Sequence, residues 1–128
     1  MKKSYTPEEK KAYFQNFRLN WVKAKELAET DKYKGIIAEV QRQGITTSVY
    51  SIVYAAMQME EAGFDGLPHV DCKTFALWKK SGFAVKKGEI SRVKGVSWVN
   101  VSDEGDTEKK VLPKGYALFH RSQVEPIQ

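Results

Sequence analysis

Apolar residues recur at three- and four-residue steps through the first 80 residues and alternate with polar ones after residue 90. The first spacing is that of helices and the second that of strands. Thr6-Pro7-Glu8-Glu9 opens the first helix: Thr6 suits the N-cap, Pro7 the first helical position, and Glu9 the closing position of a capping box. Phe14, Phe17, Trp21, Ala24 and Ala28 then form one stripe, read as core. Thr30-Asp31 predicts the cap of a second helix running to about Gln43, with Ile36, Ile37 and Val40 inward and Gly44 as its stop. A third helix is expected from Thr46 or Thr47. It buries Ile45, Val49, Ile52, Val53, Ala56 and Met59, carries Tyr50 and Tyr54 on a neighbouring face, and ends at Gly63.

Residues Phe64 to Val70 read as a turn-rich loop, and Asp71 as the cap of a short fourth helix from Cys72 to Lys80. Phe75, Leu77 and Trp78 are its large apolar residues, and Gly82 stands where a left-handed C-cap belongs. Beyond it the period changes. Val93, Gly95, Ser97, Val99 and Val101 share one strand face, the small and valine-rich side expected to meet the core. Arg92, Lys94, Val96, Trp98 and Asn100 share the other. Ser102 to Lys110 is a polar hairpin loop, and Val111 onward a second strand with Tyr116, Leu118 and Phe119. About four helices followed by a small antiparallel sheet make this an α+β chain.

At 128 residues the chain suits a single domain with one core. It holds no apolar run of the ~18–20 residues a membrane span needs. The charged start lacks the apolar run of a signal peptide, and one cysteine, Cys72, excludes an intrachain disulfide; both point to a reducing, cytoplasmic setting. The net charge of +5 is concentrated: between Trp78 and Gly95 there are six bases, Lys79, Lys80, Lys86, Lys87, Arg92 and Lys94, against Glu89 alone. That segment carries a surplus equal to the charge of the whole chain. Basic side chains interleaved with aromatics are the electrostatic footprint of a phosphate-backbone binder.

The strand face with Arg92, Lys94 and Trp98 is the constellation that matters most. Alternate residues on it lie ~7 Å apart, so that a phosphate on the bases leaves a nucleobase free to stack on the indole. Lys86-Lys87-Gly88-Glu89 reads as a tight turn that sets its lysines at the rim. Catalytic motifs are absent: there is no HExxH, CxxC, GxSxG or GxxxxGK[ST]. Cys72 with His120 as nucleophile and base, or Glu60 and Glu61 as metal ligands, are rival enzyme readings. Cys72 reads more simply as a buried structural thiol, and adjacent helical residues such as Glu60 and Glu61 diverge. No metal, cofactor or small-molecule substrate is expected. A further rival is a protein-interaction module whose basic face docks an acidic partner.

Thr74 to Glu89 (TFALWKKSGFAVKKGE), the following valine- and tryptophan-bearing strand, and Tyr116 to Ile127 (YALFHRSQVEPI) together resemble the N-terminal domain of ArdC-type antirestriction proteins. The matching marks are Trp78-Lys79, Gly82, the turn Val85-Lys87-Gly88-Glu89, and Phe119 to Gln123 at a strand end. Tyr50 to Gln58 is similar to that family's Tyr-Ser helix, and Glu26 to Val40 to helices that precede it in some relatives. The chain departs from the pattern at Gly82-Phe83, where Gly-Arg is usual, and at Val53-Tyr54, where asparagine is common. The resemblance implies single-stranded DNA binding of low sequence preference, in antirestriction or DNA-transfer protection on plasmids, phages or other mobile elements. It stops short of the family's zinc metalloprotease-like domain, in keeping with the missing HExxH. The expected nucleic-acid contacts are the six bases named above, with Trp98, Trp78 and Tyr54 stacking and Arg121 and Gln123 adding polar contacts. RNA in place of DNA stays open, because a 2′-hydroxyl contact separates the two.

Overall fold

Thr6 caps helix α1 (Pro7–Leu27) as its sequence position predicts, its hydroxyl accepting the Glu9 N–H at 3.1 Å. The structure, a computed structural model, describes residues 6–100, Gly105 and residues 111–127. Val101 and, apart from Gly105, the expected loop at 102–110 lie outside these residues. Helix α2 (Asp31–Arg42) follows, with Tyr33, Ile37 and Val40 buried. Helix α3 (Val49–Ala62) starts later than either threonine predicts, because Ser48 is the cap: its Oγ accepts the Ser51 N–H. Gly63 ends α3 in the left-handed region, at φ 75°, where a Cβ is disfavoured.

The expected fourth helix is shorter than its sequence suggests. Cys72–Lys73 form a strand, β1, and helix α4 spans only Phe75–Lys80. Thr74 replaces Asp71 as the cap, accepting the Leu77 N–H at 3.3 Å. Pairing decides this: Cys72 and Lys73 lie opposite His120 and Phe119 of β4 (Val111–His120), which satisfies backbone groups that a helix would otherwise have to pair. Asp71 instead accepts the Leu67 N–H at 2.7 Å.

Strand β3 (Val93–Asn100) pairs antiparallel with β4, from Val93 opposite Leu118 to Asn100 opposite Val111. The sheet order is β1-β4-β3. A second sheet, unforeseen in the sequence, pairs β2 (Phe83–Val85) with β5 (Val124–Pro126). The architecture of the described residues is therefore α+β: four α-helices with small antiparallel sheets. No described helix is long and apolar enough to cross a membrane.

Helix α3 is the centre of the fold. One side of it joins α1 and α2 in a cluster of Ala24, Ala28, Tyr33, Ile37, Val40, Ile52, Val53 and Ala56. Its other side, through Ala55 and Met59, meets Cys72, Val93 and Leu118 of the sheet. It also covers the free edge of β3. The Gln58 amide accepts the Lys94 N–H and donates to the Lys94 carbonyl, both at 2.8 Å, and Ser51 Oγ donates to the Val96 carbonyl at 3.3 Å. Unpaired strand edges invite pairing with other chains; here two side chains from a helix occupy the edge.

The core-facing side of β3 is only half what the alternation predicts. Val93 and Gly95 are buried, but Ser97 and Val99 are exposed, because the outer half of the hairpin extends past the α3 core. Gly95 is glycine for a local reason: a Cβ there would overlap the ring of Tyr116, its partner across the ladder.

Candidate nucleic-acid interface

All six bases between Trp78 and Gly95 are exposed, and none pairs with a carboxylate among the described residues. Lys79 and Lys80 close α4, followed by Gly82 at φ 91°, the left-handed cap its position predicts. Lys86 to Glu89 form the expected tight turn: the Glu89 N–H donates to the Lys86 carbonyl at 3.1 Å and Gly88 has φ 88°, the conformation that asks for glycine at the third turn position. Lys87 stands free at its corner, while Lys86 Nζ donates to the Ser122 carbonyl at 3.1 Å. Arg92 precedes β3 by one residue, and Lys94 lies on the sheet face opposite Val93.

Lys94 and Trp98 do share that face, but it is not the open platform that alternation predicts. The aromatic side of α1 lies against it. Trp98 meets Trp21 at 5.6 Å between ring centroids and Phe17 at 6.3 Å, both edge-on, and remains 47% exposed. The Tyr13 hydroxyl comes near Gly115, across the ladder from Val96, and Val96 itself is buried. Lys94 and Trp98 therefore fall on two sides of α1. Lys94 opens into a hollow with Glu9, Lys10 and Tyr13, whereas Trp98 lines a separate groove with Phe14, Phe17 and Trp21. The cause is the lower half of the α1 stripe: Phe14 and Phe17 lie beyond the α2–α3 core and find the Trp98 side of the hairpin as their nearest apolar surface.

Four further expected contacts have structural roles. Trp78 is buried at 6% exposure. Its Nε1–H donates to the Phe119 carbonyl at 2.7 Å, Phe83 meets its ring edge-on, and the Lys73 ammonium stands 4.9 Å from its centroid. A buried indole offers no face to a base. Tyr54 is half-buried between Phe17 and Trp21, at 5.5 and 5.8 Å, and burial raises its pKa above the usual 10.0. Gln123 is 3% exposed, with its amide accepting the His120 N–H and donating to the Ile90 carbonyl. Arg121 is held by two acids, Asp65 at 2.6 Å and Asp71 at 2.9 Å; these offset the charge that a phosphate would meet.

Of the residues in the rival catalytic readings, Cys72 is buried, and His120 and Glu60 have partners of their own. Cys72 is fully buried, and desolvation pushes its thiol up to about 12, far from the thiolate a nucleophile requires. His120 lies across from it in the ladder, but both ring nitrogens are engaged. Nδ1 accepts the Ser122 N–H at 3.2 Å, which leaves Nε2–H to donate to the Asp65 carbonyl at 2.7 Å. Glu60 binds Lys32 at 3.0 Å and the Tyr33 hydroxyl at 3.0 Å; the Lys32 hydrogen bond is the main reason its pKa is lowered. Among the described residues no group of three or more metal-ligating side chains comes together.

Among the described residues, His69 Nε2 is a buried side-chain nitrogen with no hydrogen-bond partner, and the residue adopts φ 65°. Burial lowers its pKa below 6.5, opposed by a hydrogen bond to the Ser51 backbone. Its neutral form is the folded one, so stability is complete above pH 6.5 and declines as the pH falls below that value, where the unfolded chain takes up the proton first. Unfolding midpoints in urea are expected to be lower at pH 5 than at pH 7.5, and the difference to shrink in His69→Asn, since asparagine tolerates the left-handed backbone.

The cations that sequence reasoning missed are on α1. Lys11, Phe14, Arg18, Trp21 and Lys25 follow one another at steps of three and four residues, and all five line the groove that holds Trp98. The signal is legible in the spacing, a base and an aromatic alternating along one helical face, but the aromatics alone suffice to explain a core stripe. No protein-family model, no curated protein and no solved structure matches this chain.

Proposed function

We propose that this domain binds single-stranded nucleic acid, DNA by its resemblance to the ArdC-type domains, without catalysing a reaction on it. The observation that carries this reading is the exposure of all six bases of the Trp78–Gly95 segment with no acidic partner among the described residues. Lys86 Nζ donates to the Ser122 carbonyl, an uncharged partner, so that the surplus charge of the segment is left without a described counter-charge. A phosphate backbone is the polyanion such a stripe suits, and it needs no base-specific contact. Half-exposed Trp98 supplies a stacking surface, worth on the order of 1–3 kcal/mol per base and indifferent to sequence. Duplex DNA keeps its bases stacked inside, so the indole favours a single strand.

The test is fluorescence anisotropy of a labelled single strand of about thirty nucleotides, longer than the ~4–16 nucleotides of typical single-strand sites, with duplex of the same sequence as competitor. Binding should weaken steeply with salt, the logarithm of affinity falling by about 0.7 per neutralised phosphate for each unit in log salt. Replacing Lys79, Lys80, Lys86 and Lys87 by alanine should make that slope shallower. A salt-independent affinity, or no affinity at low salt, overturns the reading and moves the basic face to an acidic protein partner.

A further inference from the structure

The groove between α1 and the β3–β4 hairpin encloses about 720 Å³, and the exposed segment of bases does not use it. Its helical wall alternates charge and ring: Lys11, Phe14, Arg18, Trp21 and Lys25, faced by Trp98 from the hairpin. None of its described lining residues is acidic. Over the fourteen residue steps from Lys11 to Lys25 the stripe runs about 21 Å at 1.5 Å per residue, the length of roughly six stacked nucleotides at ~3.4 Å each. The aromatics are not closed off, with Phe14 40% and Trp98 47% exposed. Bases also flank ordinary apolar seams with their stems; what marks this groove is that its rings stay partly open to solvent between three bases, with no acid among its described lining residues.

We infer that this groove is where the bases of a bound single strand enter, stacking on Trp21, Trp98 and Phe14 while Lys11, Arg18 and Lys25 hold the flanking phosphates. The inference rests on the proposed single-strand binding and extends it to a surface built by α1. Charge complementarity selects the occupant: an apolar peptide would leave the three bases unmatched, whereas a polynucleotide alternates flat apolar rings with anions, as the groove alternates their complements.

The full chain is titrated with a fluorescein-labelled oligothymidylate, following anisotropy in one channel and intrinsic tryptophan emission in the other. Two of the three tryptophans, Trp21 and Trp98, line the groove, and the third, Trp78, is buried. The expected result is quenching of tryptophan emission in step with the rise in anisotropy. In Lys11→Ala/Arg18→Ala/Lys25→Ala the salt slope becomes shallower by about two, at 0.7 per lost contact. All three side chains are exposed, so this variant keeps its fold, which circular dichroism verifies. If anisotropy rises but the emission is unchanged and the triple variant binds like the parent, the strand rides on the Lys79–Lys94 stripe alone; the groove inference falls and the binding reading stands. If neither signal changes, both fall.

Discussion

Trp78→Ala is expected to destabilise the domain by about 3–5 kcal/mol, the range for removing a large buried aromatic side chain. The residue joins three elements: α4 carries it, Phe119 of β4 accepts its indole N–H, and Phe83 of β2 rests against its ring. Truncation leaves a cavity between α4 and the sheet and an unpaired carbonyl on Phe119. Trp78→Phe separates the two effects. It restores most of the volume but not the donor, so the remaining loss should be about 1–3 kcal/mol, the cost of a buried acceptor left unpaired. Urea denaturation followed by circular dichroism measures both. Because the ring is only 6% exposed, Trp78→Phe should leave oligonucleotide affinity unchanged; a folded Trp78→Phe protein with weakened binding would restore the stacking role that the sequence suggests.

Gln123→Ala is expected to cost about 2–6 kcal/mol, since two backbone groups lose their partner at roughly 1–3 kcal/mol each. The Gln123 amide accepts the His120 N–H at 2.9 Å and donates to the Ile90 carbonyl at 2.8 Å, with a second donation to Glu89 at 3.1 Å. It ties the end of β4 to the segment that leads into β3. Gln123→Glu keeps the acceptor for His120 but presents a carboxylate to the Ile90 carbonyl and to Glu89, so it should be no better than alanine. Amide hydrogen exchange at His120 gives a local reading: protection lost in Gln123→Ala but kept in Gln123→Glu supports the role, and retained protection with unaltered stability in Gln123→Ala contradicts it.

Helix caps and strand periods were readable because they are local. Thr6, Gly63 and Gly82 act within a few residues of themselves, and the turn at Lys86 to Glu89 closes its own hydrogen bond. The errors arise where a distant segment competes. Cys72 and Lys73 follow a good helix cap, yet His120 and Phe119, more than forty residues away, take them into a sheet. Strands β2 and β5 are three residues each, too short for a period to show, and exist only because they pair with each other.

The functional residues divide in the same way. Linear counting alone locates the charge surplus between Trp78 and Gly95, because an ionised side chain carries its charge in any fold. Whether an aromatic is available is not a local property. Trp78, Tyr54 and Trp98 look equivalent along the chain, but they end buried, half-buried and 47% exposed, according to what crosses them. Arg121 and Gln123 look like polar contacts until Asp65, Asp71 and the Ile90 carbonyl arrive from elsewhere in the chain. Periodicity identifies the faces of α1 and β3, but the packing of one against the other is a contact between segments some eighty residues apart. That contact divides the expected open platform and forms the groove beside it.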